Sequence, residues 1–560
     1  MATKPTHPHT KGNSTAPSQS GGLSAFKNRQ FRFIWFGGTL SHLGSFIHLT
    51  AAAWLMTTLT SSSTLIALVQ SAWALPTMLL ALLAGATADI YDKRSQMIVS
   101  MAVCSLSIFV LFGVYQTGAL EPWSLLILMV MLGVGAAFFF PAWVSSLPQM
   151  VAKEQFVSAV ALNNLSFNIA RCIGPAIAGE VLVRLGAGAA FVINGVSCLY
   201  LILALRLWKR EKPISSGPKE TISGAIGDGL RYASCSPKVL RVVGGGFMLP
   251  ICASAILALT PLIALQFDDQ PRTLGLLLLG FGGGAMAGAL SVTWMQSKAT
   301  MNKLASGSAL IIAAVLWVLS VAGNPLLAVV ALAVGGFAWV QSMSILQILI
   351  QTSCPRWVVG RMVSLLAMVF SAGIAIGAAI WGAVADFADI SVALSSAGTA
   401  TVFAGVFLLT LPSMQPNDGR LESSADSQPD FPINAGTQVS PVKTTIEYSV
   451  DEERRQTFEK LMQEIRRIRT RDGARRWRLY PSPHSEMVWI EEFETPTWAH
   501  HLRLTTRGVK GDVETYSALN QLCATQPTFH NQVGDSEDTF HAPVPGIQNE
   551  DGEGGVTSPI

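Results

Sequence analysis

Four ionisable side chains, His42, His48, Arg171 and Glu180, sit inside long apolar runs of this 560-residue chain. Charge in such surroundings is expensive to bury and by default marks chemistry rather than packing. Arg171 either binds an anionic or carbonyl-bearing molecule or braces polar groups of neighbouring helices. Glu180 lies about half a helical turn out of phase with Arg171, so the two do not face each other. It stands four residues before Arg184, in the favourable order for an ion pair along a helix, and is also a candidate for proton coupling. His42 and His48 titrate near neutral pH, which makes them candidate proton carriers or, alternatively, hydrogen-bonded members of a helix bundle. With Arg171, the amides and indoles Trp54, Gln70, Trp73, Asn163, Asn164, Asn168, Gln341 and Gln347 form the candidate substrate-binding set. An apolar cavity with a few such groups suits an amphipathic organic solute, and each of them suits helix–helix bonding equally well.

Other chemistries are disfavoured. Seven cysteines are scattered without a C-x-x-C pair or a histidine at ligand spacing, which indicates neither a zinc site nor a disulfide framework. No G-x-x-x-x-G-K-[ST] loop occurs, which argues against ATP hydrolysis. A net charge of +3 is too small to suggest a nucleic-acid partner. No metal and no cofactor are expected.

These residues need membrane helices to position them. Residues 31–413 are about 8% Asp, Glu, Lys and Arg, against about 26% for 414–560, and mean hydropathy is +0.42. A spanning helix needs about 20 apolar residues, because unpaired backbone groups cannot face hydrocarbon. The charge-free stretches 33–88, 95–120, 122–152, 185–205, 242–267, 273–297, 304–355, 362–385 and 390–417 supply eleven spans. The two longest fold back at Thr60–Thr64 and Gly323-Asn324-Pro325. A twelfth span is needed between Val157 and Leu185.

One set of loops holds fifteen Lys and Arg, the other only Arg184 and Arg272. Both termini are therefore expected in the cytoplasm. The basic connection 209–238 separates halves of similar length, the footprint of a duplicated transporter. A weak echo of Pro148–Gly186 in the stretch from Pro355 to Asp386 falls at the same place in each half.

The loop after span 2, Gly85-Ala86-Thr87-Ala88-Asp89-Ile90-Tyr91-Asp92-Lys93-Arg94, resembles the G-x-L-A-D-r-x-G-R-[KR] signature of the major facilitator superfamily. Thr87, Ile90 and Asp92 depart from it. The resemblance implies that Gly85, Asp89, Lys93 and Arg94 form a gate, with Asp89 facing the start of span 11 around Val358–Val363 and Arg361 as its ion partner. A carboxylate at a helix N-terminus is stabilised by the macrodipole.

Span 5, from Ala161-Leu162-Asn163-Asn164 through Phe167-Asn168-Ile169-Ala170-Arg171 to Gly174-Pro175-Ala176-Ile177-Ala178-Gly179, is similar to the pattern of the enterobactin-exporter-like, or transmembrane secretion effector, branch. It contains the G-P-x-x-x-G element of antiporters at Gly174, Pro175 and Gly179. Phe31–Gly37, Ser41–Gly44 and Ala53-Trp54-Leu55 fit the opening of the same branch. The resemblance covers about 25–413. It implies a secondary active exporter of a drug, siderophore or other metabolite, working by alternating access and coupled to protons, in a bacterial inner membrane.

The polar end reads as soluble structure: a strand at Val442–Val450, a helix at Asp451–Thr470 with Asp451 as N-cap, a hairpin at Trp477–Tyr480 and Met487–Phe493, helix across Thr497–Leu522, and a strand near Thr528–Val533. This is a β-α-β-β-α-β plan. The stretch resembles the appended domain of longer members of the branch, similar to the dimeric α+β barrel of antibiotic-biosynthesis monooxygenases. That implies either a dimerising, regulatory domain or an oxygenase pocket faced by His500 or His501.

The expected architecture is all-α membrane, with twelve transmembrane helices in two six-helix halves and a small cytoplasmic α+β ferredoxin-like domain. Its divisions are a disordered lead-in (1–25), the first half (26–208), the connection (209–238), the second half (239–413), a linker (414–440), the α+β domain (441–533) and a disordered acidic tail (534–560). Expected partners are a small-molecule substrate, the lipid bilayer and protons, with dimerisation through the C-terminal domain. The alternatives are a transporter fused to an enzyme acting on its substrate and a lipid-moving or sensory member of the fold.

Overall fold

The computed structural model describes residues 24–208, 222–411, 441–533 and 539–540, apart from Arg356, His484, Ala499, Leu502, Arg503, 505–509 and Gln526. Most of residues 1–25 and 534–560, and all of 414–440, therefore lie outside the described residues. Ser24 and Ala25 do not belong to a disordered lead-in. They open a 3₁₀ turn, Ser24–Lys27, where Ala25 is buried and its N–H donates to Ser158 Oγ at 3.3 Å.

The membrane body runs α1 (Arg29–Leu59), α2 (Ser63–Ile90), α3 (Lys93–Gln116), α4 (Pro122–Met150) and α5 (Phe156–Leu207) in its first half. After α6 (Ile222–Cys235) come α7 (Pro237–Ala253), α8 (Ala255–Ala258), α9 (Thr260–Phe267), α10 (Pro271–Gln296), α11 (Met301–Ser320), α12 (Pro325–Thr352), α13 (Val359–Phe387) and α14 (Ile390–Leu408). Among the described residues, ten helical segments are long and apolar enough to cross a membrane, with α7–α9 acting as one; α1 is not among them.

Both turn signals cap a helix. Ser62 accepts from Leu65 N at the start of α2, and Asn324 accepts from Leu326 N at the start of α12. The 52-residue α5 is two rods: Gly186 has φ 78° and ψ 173°, a conformation that glycine adopts at no steric cost. The connection 209–238 holds a helix, α6, that the loop reading did not anticipate.

Within the first half α1 packs on α5, and α2 and α3 on α4; within the second, α10 packs on α12 and α11 on α14. Two seams join the halves, α2 with α13 and α5 with α10.

The C-terminal domain has β1 (Val442–Ser449), α15 (Arg455–Asp472), β2 (Arg475–Ser482), β3 (Ser485–Thr495), α16 (Lys510–Leu522), β4 (Thr528–Val533) and β5 (Thr539–Phe540). The sheet order is β2-β3-β1-β4-β5, with every pairing antiparallel. β5 lies inside the stretch expected to be a disordered tail. Asp451 is not the cap of α15: a 3₁₀ turn, Glu452–Arg454, intervenes, and Asp451 makes no side-chain cap bond.

The apolar stripe of α15 works as its periodicity predicts. Phe458, Met462 and Ile465 are fully buried with Ile446, Tyr448 and Phe493. Inside this core lies Glu491, which accepts from Tyr448 Oη (2.7 Å), Trp477 Nε1 (2.7 Å) and Arg469 Nε (3.3 Å). α15 packs on α6, and Arg231 Nη1 donates to Gly473 O at 3.3 Å, so the domain is seated on the connection between the halves.

Removing one partner of a buried ion pair strands the other charge, so Glu491→Ala should lower stability by about 3–5 kcal/mol; urea unfolding of the full chain checks this, and an unchanged midpoint would contradict it. His501 is 1% exposed, and burial, with the Arg469 charge, holds its pKa at about 4 against an ordinary 6.5. Between those values the unfolded chain binds more protons, so stability is lost as pH falls from about 6.5 to about 4, by up to ~3 kcal/mol. His501→Gln should flatten that slope in melts recorded at pH 7 and pH 5.

Candidate functional site

The site is built on the two seams. Along α5–α10 the backbones nearly touch: a Cβ at Gly275 would lie 2.8 Å from Pro175 O, and one at Gly282 would lie 2.5 Å from Cys172 Cα. Small residues permit this approach between membrane helices. Gly179 and Pro175 of the sequence motif thus form the contact surface for α10, while Gly174 faces Phe46 of α1.

Arg171 adjoins this seam, its carbonyl facing Gly282. It lies fifteen residues from each end of the first rod of α5 (Phe156 and Gly186), about 22 Å along the axis. Its Nη2 donates to Asn168 Oδ1 at 2.7 Å, and its guanidinium lies 5.7 Å from the centre of the Phe167 ring, within cation–π range. Its Nε is buried with no hydrogen-bond partner among the described residues. Asn168 in turn donates to Asn164 O at 2.8 Å.

Beside this group, Trp143 Nε1 donates to Asn163 Oδ1 at 2.7 Å, and His42 lies edge-on between Trp143 and Phe167. The structure therefore gathers His42, Asn163, Asn164, Asn168 and Arg171 on neighbouring faces of α1, α4 and α5. His48 is buried against Phe191, and neither of its ring nitrogens has a partner among the described residues.

Other candidates go elsewhere. The Gln341 amide holds α12 to α10 by donating to Gly288 O (3.1 Å) and Ser291 Oγ (2.8 Å). Trp54 is buried, Gln70 and Trp73 are half-buried, and Gln347 is exposed. Glu180 sits near the α6-distal end of the first rod of α5, where one oxygen accepts from Arg184 and the other from Arg272 Nη2 at 2.8 Å. The ion pair along the helix thus extends to α10 of the other half.

Of the gate motif, Gly85 lies against Ser364 of α13, while the basic pair bonds inside its own half. Lys93 Nζ donates to Ser145 O at 2.9 Å and Arg94 Nη1 to Trp208 O at 3.1 Å. Asp92, where the signature has glycine, caps α3 through Ser95. The side chain of Asp89 lies outside the described residues. Arg361 packs beside Gly229 of α6.

Sequence reasoning missed Asp386. At the far end of the α2–α13 seam its carboxylate accepts from Ser62 Oγ (2.7 Å), Thr64 N (3.0 Å), Ser63 N and Thr64 Oγ1. It thus caps the N-terminus of a helix in the other half. The signal was present: Gly382-Ala383-Val384-Ala385-Asp386 repeats Gly85-Ala86-Thr87-Ala88-Asp89. Gly382 lies against Ala67 of α2 as Gly85 lies against Ser364 of α13.

At the C-terminal domain, His501 stacks on Trp498 and adjoins Thr444 Oγ1 at 3.5 Å. It belongs to the packed core. His500 Nδ1 lies 2.8 Å from Thr497 Oγ1.

Residues 20–533 match the description of the transmembrane secretion effector family. The multidrug efflux pump Tap of Mycolicibacterium fortuitum is 25% identical over 407 residues, covering 69% of this chain and 96% of that protein. The enterobactin exporter EntS of Salmonella typhi is 25% identical over 342 residues, covering 59% and 79% respectively. Among solved structures, a mutant of the nucleoside transporter NupG superposes with a TM-score of 0.58 at 12% identity, covering 68% of this chain and all of that one. A POT family transporter in complex with 5-aminolevulinic acid gives 0.56 at 10% identity, covering 70% and 97%.

The close approach of α5 and α10 leaves no room for bulk. Gly282→Leu should destabilise the folded protein by about 1–3 kcal/mol or force the halves apart, lowering the melting temperature of the purified protein. A melt identical to that of the wild type would contradict the seam.

Proposed function

The chain belongs to the transmembrane secretion effector family of major facilitator transporters, and from that premise we propose that it exports an amphipathic organic solute by alternating access. The observation that carries this reading is the pair of matched seams between two halves, each lined by small residues and, at one end, bridged by a carboxylate from one half to the other. Twelve spans are the count we adopt: the ten apolar segments, with α5 counted as two rods about Gly186, and α1. The α6 end is taken as cytoplasmic because the basic loops cluster there, and on this reading both termini lie on the cytoplasmic side of a bacterial inner membrane.

In this scheme Asp386 on α2 and Glu180 on Arg272 hold the external side shut while the solute enters from the cytoplasm. When the halves rock, these contacts part, and Asp89 with Arg361 closes the cytoplasmic side. Asp89 is suited to this role because the N-cap of α13 is Val358, which has no side-chain cap bond of its own. Proton coupling is assigned to His48 and His42, since no Asp or Glu lies near the middle of any span. Tap is an efflux pump and EntS an exporter, which supports the outward direction.

The C-terminal domain is read as a ferredoxin-like docking and dimerising module on α6 rather than an oxygenase, because Glu491, Arg469 and His501 are engaged in its packed core.

Inverted membrane vesicles energised by respiration should accumulate a fluorescent solute in the presence of this protein, and a protonophore should abolish the uptake. Asp386→Asn should lower the rate several-fold at equal expression, since solvent screening leaves an exposed charged contact about 1 kcal/mol. No protein-dependent uptake from a broad solute screen would contradict export; uptake indifferent to the protonophore would contradict proton coupling alone.

A further inference from the structure

We infer that the exported molecule is an organic anion and that its negative charge docks on Arg171. This rests on the exporter reading and adds the substrate class: a carboxylate, phosphate or ionised phenol carried on an apolar, preferably aromatic, body.

The argument begins with charge balance. Arg171 is the one Asp, Glu, Lys or Arg near the middle of any span. The nearest acidic residues along the chain are Glu154, just before α5, and Glu180 within it, each more than two helical turns away. Glu180 is held by Arg184 and Arg272, and Asp386 is held by the N-terminus of α2. The protein thus places a permanent cation at mid-depth, and among the described residues no carboxylate reaches it.

The guanidinium is also under-used. It has five N–H donors, of which one is given to Asn168 Oδ1 while Nε is buried without a partner. A side chain needed only to brace Asn168 would do so without a charge. Asn168 instead holds the guanidinium in place, its own amide anchored on Asn164 O.

The surroundings specify the rest of the ligand. Phe167 lies under the guanidinium, with His42 and Phe46 packed edge-on against Phe167 and Trp143 beyond His42. These rings suit an aryl or other apolar body beside the anionic group. In such low-dielectric surroundings an unpaired cation attracts anions and repels cations far more strongly than it would in water.

The test uses fluorescein and rhodamine 123, xanthene dyes of similar shape and opposite charge, with the full-length protein in inverted vesicles. Uptake of fluorescein should exceed that of rhodamine 123 at least ten-fold. Arg171→Gln should bring fluorescein uptake to the level of vesicles lacking the protein, and Arg171→Lys should retain a measurable part of it. Uptake of rhodamine 123 equal to or above that of fluorescein would overturn the assignment and leave the exporter reading standing, as would a preference for fluorescein that survives in Arg171→Gln. Fluorescence polarisation of each dye with the purified wild-type protein decides the matter independently of vesicles or variants. Fluorescein binding at least ten-fold tighter than rhodamine 123 supports the anion site; equal binding, or no fluorescein binding, overturns it.

Discussion

The architecture depends on the antiparallel contact between α2 and α13. Each helix carries the same five-residue ending, Gly-Ala-x-Ala-Asp, and because the two run in opposite directions the endings fall at opposite ends of one seam. At the α6-distal end the relation is explicit: Gly382 admits Ala67 and Thr64, and Asp386 caps the first turn of α2. The helix dipole makes a carboxylate favourable there. The contact remains breakable because Asp386 is exposed and solvent screens such pairs. In the proposed alternating access, a latch between the halves needs that modest strength.

The middle of the body is built on the opposite rule. Charges are kept to the helix ends, where water or a partner half satisfies them, and Arg171 and the two histidines are the only Asp, Glu, Lys, Arg or His near the middle of the spans. Burying that arginine costs at least a few kcal/mol. Two weak neighbours, Asn168 and Phe167, offset only part of it. The remainder is what makes the position informative about function, and it joins the seam at Gly282 to the chemistry that passes along it.

Much of this was legible in the sequence, for identifiable reasons. Charge-free runs locate spans because hydrocarbon tolerates no unpaired backbone, and Thr60–Thr64 and Gly323-Asn324-Pro325 turn the chain because Ser62 and Asn324 supply the caps. The stripe Phe458, Met462, Ile465 identifies the buried face of α15 by period alone. Individual polar residues were harder. Gln341 carries the same chemistry as a pocket residue, and only the rotation of α12 turns its amide onto Gly288 and Ser291. Asp386 looked like a span boundary, because its significance depends on which helix lies beside it and in which direction. α6 was hidden in a basic connection, where its burial comes from tertiary contacts with α2, α13 and α15. β5 is two residues long and exists only through its pairing with β4.

The C-terminal domain reaches the transporter through α6, so any movement of the halves at that end is felt at the Arg231–Gly473 contact. Whether the halves move as alternating access requires can be measured with two spin-label pairs in the wild-type protein, one joining α5 and α10 at Val183 and Leu276, the other joining them at Val157 and Leu290. The account predicts that, across pH and added solute, one distance lengthens as the other shortens. Two distances that stay fixed, or that lengthen together, would contradict it.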